Sequence, residues 1–283
     1  MLEELFGRWR RKTKTGEKKT GEDPVKRGRI LAGKVHHIGS RPAQEDCMCV
    51  AEAGEGILLV VADGMGGLAD GEVVSGEIVK SFLDSASRLK TGPYEGILRQ
   101  MTDQAVEKVN QMLGEEKLNK CGSTMVAAFV AEGRFQWISV GDSRIYLYRD
   151  GSLRQLNEEH NYKRELIKMA ALGEISLEEV ENNPQKEFLT SFIGMGSLRY
   201  VDASEREENL CPGDRLLLVT DGIYRSMTDE ELCKILEKYG DVSQAAAEIR
   251  KRILKLHMPY QDNFTAIILD CDPVAEGTSA ERE

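Results

Sequence analysis

Two apolar runs of the sequence each end in an aspartate that is followed directly by a glycine. One run leads into Asp63-Gly64 and the other leads, through a threonine, into Asp221-Gly222. A short apolar run bounded by turn residues predicts a buried β-strand. A carboxylate at the end of such a strand costs free energy unless it is paired or binds a metal, and a glycine lets the chain turn sharply beside it. The fold must therefore give these strand ends a polar partner.

Two more aspartates lie beside apolar runs. Asp262 comes just before the last run, and Asp142 lies between two others. One such aspartate is ordinary in a turn, but four of them favour a shared metal site. Oxygen donors without a neighbouring His or Cys suit Mg²⁺ or Mn²⁺ better than zinc. Two such ions about 3.5–4 Å apart can generate a hydroxide and hold a phosphoryl group.

A charged loop precedes the run that ends in Asp63. It contains Arg41, whose guanidinium fork matches phosphate oxygens, and the adjacent acids Glu45 and Asp46, which can hold metal-bound water. On its own this is an ordinary charged loop with a surface ion pair. Its place directly before a predicted strand favours a role in phosphate binding.

The apolar runs fall into two groups separated by helical stretches. Turn residues at 53–56 and at Asp150-Gly151 predict antiparallel neighbours. One helix is predicted to bury a face formed by Ile97, Met101, Ala105, Val109 and Met112. Strands are predicted at 34–38, 47–51, 57–62, 124–130, 135–140, 145–149, 215–220 and 264–269. Strands in two groups, with helices in separate runs, indicate an α+β fold in which sheets pack together and helices lie outside.

Residues 158–190 interrupt this pattern. They are charged and helical in character, with breaks at Gly173 and Pro184, and we interpret them as an inserted flap. His160 lies at the start of the flap beside two acids, where either an anchoring role or a catalytic role is open. After the flap, Thr228 and Glu231 have the spacing of a capping box, which predicts a helix start.

The charge distribution marks the domain boundaries. Residues 1–30 contain ten Lys or Arg and five acids, a net charge of +5, and since the whole chain has a formal net charge of −10, the remainder carries −15. We interpret 1–30 as a flexible basic arm, either a simple solvated tail or a weak contact for an acidic partner or an anionic membrane surface. Residues 31–272 form one predicted domain and 273–283 a frayed tail. The acidic domain does not favour nucleic acid as a partner, and no apolar run is long enough to span a bilayer.

The six cysteines form no C-x-x-C pair and have no histidine at zinc-finger spacing. Several lie inside apolar runs. We therefore expect buried free thiols and a protein of the reducing cytoplasm.

Six short motifs occur in order along residues 30–270. They are Arg41 with Glu45-Asp46, Asp63-Gly64-Met65-Gly66-Gly67, Gly122-Ser123-Thr124, Gly141-Asp142-Ser143-Arg144, Thr220-Asp221-Gly222 and Asp262-Asn263. Each is weak alone, but together they are specific. With these motifs the chain resembles the metal-dependent serine/threonine phosphatases of type 2C (the PPM family), in particular the compact bacterial members.

The resemblance implies two antiparallel sheets packed as a central sandwich flanked by helix pairs, a four-layer αββα arrangement. It also implies two divalent cations, Mn²⁺ or Mg²⁺, and a third that binds more weakly. The implied metal positions are Asp63, bridging both ions, with Asp221, Asp262, the Gly64 carbonyl and Glu45. Asp142, together with Asp221, matches the third position.

The implied reaction is hydrolysis of phosphoserine and phosphothreonine in proteins, often in opposition to a kinase. A metal-bridging hydroxide attacks phosphorus directly, without a phosphoenzyme. Arg41 holds the substrate phosphate and Asp46 orients metal-bound water. Many eukaryotic members have a histidine where this chain has Met65, and because methionine cannot donate a proton, another group must protonate the leaving oxygen.

Two other functions stay open at this point. A catalytically silent relative would bind phosphoproteins or regulate a partner, although all the metal acids are retained. A hydrolase for a small phosphate ester is also compatible, because the metals and Arg41 recognise only the phosphoryl group. We expect a monomer that acts on phosphoproteins.

Overall fold

The structure, a computed structural model, describes residues 31–66 and 70–270, so the predicted arm and tail lie outside the described residues. Its strands form two antiparallel sheets, one with the order β1-β11-β10-β6-β7 and one with the order β2-β3-β4-β5-β8, where β9 also pairs with β5. The strands are β1 (Leu31–His37), β2 (Asp46–Ala53), β3 (Gly56–Met65), β4 (Gly122–Ala131), β5 (Arg134–Val140), β6 (Arg144–Arg149), β7 (Ser152–Gln155), β8 (Asp202–Ala203), β9 (Glu208–Asn209), β10 (Arg215–Val219) and β11 (Phe264–Asp270).

Along the sequence, the helices occupy segments between the strands. Thr228 and Glu231 form the predicted capping box at the start of the sixth helix, and Ser176 and Glu179 form another at the fourth. The helices are α1 (Asp70–Ala86), α2 (Ile97–Lys117), α3 (Tyr162–Ala171), α4 (Leu177–Asn182), α5 (Asp221–Tyr224), α6 (Asp229–Lys238) and α7 (Val242–Lys255).

Three apolar clusters define four layers. Side chains such as Leu59 and Leu218 fill the space between the sheets. The six-stranded sheet packs its other face on α1 and α2, and the five-stranded sheet packs its other face on α6 and α7. The predicted α+β sandwich flanked by helix pairs is therefore confirmed.

Strand alternation puts the predicted acids between the sheets. On β3, Leu59 and Val61 face the opposite sheet, so Asp63, two residues on, has the same orientation. On β2, Met48 and Val50 pack on this inner cluster, and Asp46 continues their face. Because Asp46 pairs directly with Asp63, both carboxylates lie at one end of the sandwich.

Two details of burial differ from the sequence expectations. Met112 is exposed and Leu113 is buried in its place, so the apolar face of α2 continues four residues after Val109 instead of three. Cys211 is exposed, and Cys233 is only partly buried. The three other described cysteines are buried free thiols, as expected. Among the described helices, none has both the length and the apolar composition needed to cross a bilayer.

Candidate metal centre

The seven residues predicted to bind metal, phosphate or water lie on five segments that meet at one end of the sandwich. Glu45 directly precedes β2, which Asp46 begins, and Asp63 and Gly64 lie near the end of β3. Their positions are Arg41, Glu45, Asp46, Asp63, Asp142, Asp221 and Asp262, with Gly64 as a backbone donor. In one sheet, the register of β2 against β3 fixes where Asp46 and Asp63 lie relative to each other. In the other sheet, the register of β10 against β11 does the same for the strand ends next to Asp221 and Asp262.

The Asp46 carboxyl group is buried, and among the described residues only one of its two oxygens has a hydrogen-bond partner. The Thr220 hydroxyl donates to Oδ2 at 3.0 Å. Oδ1 is buried and has no partner among the described residues. A buried acceptor without a donor is costly, so this oxygen is suited to a ligand between the sheets. The sequence reasoning assigned no role to Thr220, although it belongs to a quoted motif.

Crowding of carboxyl groups changes their acidity. Burial raises the pKa of Asp46 to about 7, with Asp221 and Asp262 adding repulsion. Burial likewise raises the pKa of Asp142 to about 7. Burial and the charges of four neighbouring aspartates raise the pKa of Asp63, which shares a hydrogen bond with Asp221. So many acids in one place cannot all ionise without a compensating cation.

Arg41 provides part of that compensation. Its Nη2 donates to Asp262 Oδ2 at 2.7 Å, and about half of the Arg41 side chain is exposed (52%). The loop that carries Arg41 is fastened by Asn263, whose amide donates to the carbonyls of Ile38 and Ala43 and accepts from the Glu45 N–H at 2.7 Å. Asn263 is therefore a positioning residue. It belongs to the quoted Asp262-Asn263 pair, but the sequence reasoning gave it no role.

Close backbone packing surrounds Gly64. Its N–H donates to the Glu45 carbonyl at 3.1 Å, and a Cβ at this position would lie 2.3 Å from the Gly71 carbonyl oxygen. A Cβ on Gly71 would in turn meet Glu45 Oε1 at 2.8 Å. Only glycine fits at these two positions. Because neither residue has a side chain, the Glu45 carboxylate can lie beside the end of β3.

A second arginine lies at the other side of the acids. Arg225 Nη1 is 3.2 Å from Asp221 Oδ2, and Nη2 is 3.9 Å from both Asp142 Oδ2 and Glu187 Oε2. The sequence reasoning did not identify Arg225. The sequence feature that could have identified Arg225 is its spacing of four residues from Asp221, because an acid and a base four residues apart lie side by side on a helix.

The donor set fits hard divalent cations in chemistry, since it consists of carboxylate and carbonyl oxygens. The unpaired Oδ1 of Asp46 and the raised pKa values point the same way. Within residues 31–66 and 70–270, no three Asp, Glu, His or Cys side chains converge closely enough to hold an ion as they stand. Binding would require the side chains to rotate at strand ends that already meet. The individual ligand assignments stay predictions.

His160 attaches the flap to the sandwich. The Gly141 N–H donates to His160 Nδ1 at 3.0 Å, and the His160 N–H donates to the Gly141 carbonyl at 2.8 Å. The ring is buried, and burial lowers its pKa to about 4. A neutral ring with these bonds favours the anchoring role over the catalytic one.

A surface cavity of about 720 Å³ lies elsewhere. Glu55, Tyr94, Glu132 and Glu207 line part of it, at the end of the sandwich opposite to Asp63. It contains none of the predicted site residues, so the acid cluster remains the better candidate for chemistry.

Comparison with known proteins gives one consistent family. The family model described as protein phosphatase 2C matches residues 32–256. A serine/threonine phosphatase of Listeria monocytogenes is 33% identical over 230 residues, which are 79% of this chain and 88% of that relative.

Solved structures share the fold. The serine/threonine phosphatase of S. agalactiae has a TM-score of 0.76 at 21% identity, covering 86% of this chain and 100% of that one. The catalytic domain of the phosphatase PstP, in complex with two manganese ions, has a TM-score of 0.70 at 25% identity, covering 85% and 97%. Because the family match spans most of the chain, this protein belongs to the protein phosphatase 2C family.

Proposed function

We propose that this protein is a metal-dependent phosphatase that hydrolyses phosphoserine and phosphothreonine in proteins and opposes a serine/threonine kinase. The observation that carries the proposal is the placement of Asp46, Asp63, Asp142 and Asp221 at one end of the sandwich, where burial raises the pKa of each and neighbouring aspartates add to the shift. Such a cluster is stable in its ionised form only with bound cations. Relatives of this family that carry the name serine/threonine phosphatase, and the relative solved with two manganese ions, support it.

Two divalent cations, Mn²⁺ or Mg²⁺, are assigned to five donors. Asp63, Asp221 and Asp262 would hold the first ion, and Asp63, Glu45 and the Gly64 carbonyl would hold the second. When bound, the ions activate water as the nucleophile and stabilise the charge of the phosphoryl group.

The other residues bind and orient. The half-exposed Arg41 can leave Asp262 and present its two-nitrogen fork to the phosphate oxygens of the substrate. Asp46, fixed by Thr220, keeps Oδ1 free to accept a hydrogen bond from the attacking water. Met65 has no proton to give, so the leaving oxygen takes its proton from water or from another group.

The partners of the proposed enzyme are phosphorylated proteins. We place a monomer in the cytoplasm, which suits the free thiols of Cys47, Cys49 and Cys121. The basic arm, residues 1–30, is either a simple solvated tail or a weak contact for an acidic partner or a membrane surface through its net charge of +5. Deleting the arm should leave turnover of a short phosphopeptide unchanged.

One alternative has a specific observation in its favour. The cluster and Arg41 provide contacts for a phosphoryl group alone, which a small phosphate ester would satisfy equally. A non-catalytic regulator is less compatible, because every predicted metal acid is retained.

The first experiment is phosphate release from a phosphothreonine peptide with Mn²⁺, with Mg²⁺ and with EDTA, for the wild type and Asp221→Asn. We expect release that depends on metal and is lost in the variant, because a neutral amide cannot replace the carboxylate ligand. A small ester such as p-nitrophenyl phosphate, compared at equal concentration, separates the two catalytic alternatives. Metal-loaded, folded protein that releases no phosphate from either substrate would favour the regulator, and full activity of folded Asp221→Asn would remove the metal assignment.

A further inference from the structure

A guanidinium lies where the third metal position is expected. Arg225 Nη1 is 3.2 Å from Asp221 Oδ2, and Nη2 is 3.9 Å from Asp142 Oδ2. Different nitrogens therefore face the two carboxylates that the resemblance assigns to the weaker ion. The Asp142 side chain is 7% exposed and that of Asp221 15%, so both are shielded from bulk water, whereas the Arg225 side chain is 47% exposed.

Neighbouring contacts fix this arrangement. The Tyr224 hydroxyl donates to the Asp142 carbonyl at 3.1 Å and so joins the loop of Asp142 to the short helix α5 that precedes Arg225. The Arg144 guanidinium lies 3.7 Å over the centre of the Tyr224 ring and pairs with Glu159 at 2.6 Å. Asp221, at the start of the same short helix, is four residues before Arg225 and reaches it along the helix axis.

The flap provides a third carboxylate. Glu187 Oε2 is 3.9 Å from Arg225 Nη2, the nitrogen that also faces Asp142. The Arg225 guanidinium therefore lies near carboxylates from three segments, the β5–β6 loop, α5 and the flap. A divalent ion at this place would have the same role, since its carboxylate ligands would also come from separate segments.

We infer that Arg225 takes the place of the third, weaker cation at Asp142 and Asp221, so that this chain binds two divalent ions and no third. The inference rests on the proposed function for the two other ions. An arginine stays protonated at every working pH, and unlike an ion it is covalently tethered beside the two aspartates, so its local concentration does not depend on the concentration in solution. A divalent ion brought next to it would be repelled and would have to displace it from both aspartates.

The experiment counts Mn²⁺ ions bound to metal-stripped full-length protein, by calorimetric titration and by the EPR signal of free Mn²⁺. We expect two ions for the wild type and for Arg225→Lys, which keeps the charge. For Arg225→Ala and Arg225→Gln we expect a further, weaker binding event that brings the count to three. Adding Asp142→Asn to Arg225→Ala should return the count to two.

A matched control is Arg252→Ala. Arg252 also pairs with an acid four residues earlier, Glu248, at 3.0 Å and with similar exposure, but it lies on α7 away from the acid cluster. It should leave the count at two. Circular dichroism confirms that each variant is folded.

Three ions in the wild type would overturn the inference alone, and so would an unchanged count in both Arg225→Ala and Arg225→Gln. A wild type that binds no Mn²⁺ at all would overturn the proposed function, and this inference with it. The two failures are therefore distinguishable in one titration.

Discussion

The acid-bearing end of the sandwich and the flap, residues 158–190, are built in opposite ways. At the acid end, strand pairing fixes the backbone and two of the carboxyl groups, Asp46 and Asp142, are buried. In the flap, α3 and α4 each bury a single residue. Its large exposed apolar side chains are Ile167, Leu172, Leu177 and Phe188. The acids that we propose carry the chemistry therefore lie on paired strands, whereas the flap exposes apolar side chains that we propose contact protein substrates.

The two regions are nevertheless joined at the base of the flap. Ser123 exchanges backbone hydrogen bonds with Ile193 at 2.9 Å, and Asn161 forms an isolated bridge with Leu189. His160 adds its two bonds to Gly141. The flap is thus anchored close to the acids while its outer helices face solvent. Variants in each region should separate catalysis from recognition.

The largest effect is expected for Asp63→Asn. Loss of the carboxylate that we propose holds both ions should reduce turnover roughly 10³-fold or more. The same change removes a charge that neighbouring acids repel, since the pKa of Asp63 is raised by burial and by those neighbours. The metal-free variant should therefore melt at or above the temperature of the metal-free wild type, while Mn²⁺ should no longer raise its melting temperature. Thermal scans with EDTA and with Mn²⁺, beside phosphate release, check both parts.

A lower melting temperature of metal-free Asp63→Asn would mean that this carboxylate stabilises the fold by itself. Exposed Asp103, on α2 and paired with Arg99, is the matched control. Asp103→Asn should leave activity and the response to Mn²⁺ unchanged.

Arg41→Ala should have the next largest effect. We expect kcat/KM to fall about 10²-fold, because two charge-assisted hydrogen bonds to phosphate are lost. Arg41→Lys should recover part of that loss, since lysine keeps the charge without the fork. Steady-state kinetics with a phosphopeptide and with a small ester measure kcat/KM for both variants. The loss should be similar for both substrates, and a loss confined to the peptide would move Arg41 from phosphate binding to peptide recognition.

A smaller effect concerns stability and pH in the acid cluster. Burial raises the pKa of Asp46 to about 7 from 3.8, so between about pH 4 and pH 7 the folded protein holds a proton that the unfolded chain has released. Metal-free stability should therefore fall as pH rises through this window, by on the order of 2–4 kcal/mol from this group. Asp46→Asn should remove that part of the slope.

Denaturant unfolding in EDTA at several pH values tests this prediction. The difference in unfolding free energy between Asp46→Asn and the wild type should grow in favour of the variant as pH rises from 4 to 8. A difference that stays constant over this range would show that the carboxyl is already ionised in the folded protein.

Most strands of the two sheets could be predicted from the sequence, because apolar alternation and turn residues are local signals. The eight predicted strands lie within observed ones or within a residue or two of them, and Asp150-Gly151 adopts the positive φ angles of a tight hairpin turn. The strands β8 and β9, two residues each, have no apolar pattern to reveal them. Met112 and Leu113 are both compatible with a helical face through Val109, and only packing decides between them.

The acids of the site were predictable for the same reason, since they stand at the ends of recognisable strands. The residues that support them were not. Thr220 and Asn263 act through side-chain hydrogen bonds to residues far away in the sequence, and Arg225 depends on where a one-turn helix places its side chain. Such roles depend on three-dimensional distances between segments far apart in the sequence.

The smallest effect is expected in the flap. Phe188 is 62% exposed and follows Glu187, which reaches Arg225 beside the acids, so we expect its ring to contact a bound protein substrate. Phe188→Ala should raise KM for a phosphoprotein about fivefold, the size of one apolar contact of about 1 kcal/mol, with kcat unchanged. For a small ester both constants should stay the same. Leu254→Ala, an exposed apolar change on α7, is the control. An equal effect on both substrates would place the flap in the chemistry and remove the contrast between the two regions.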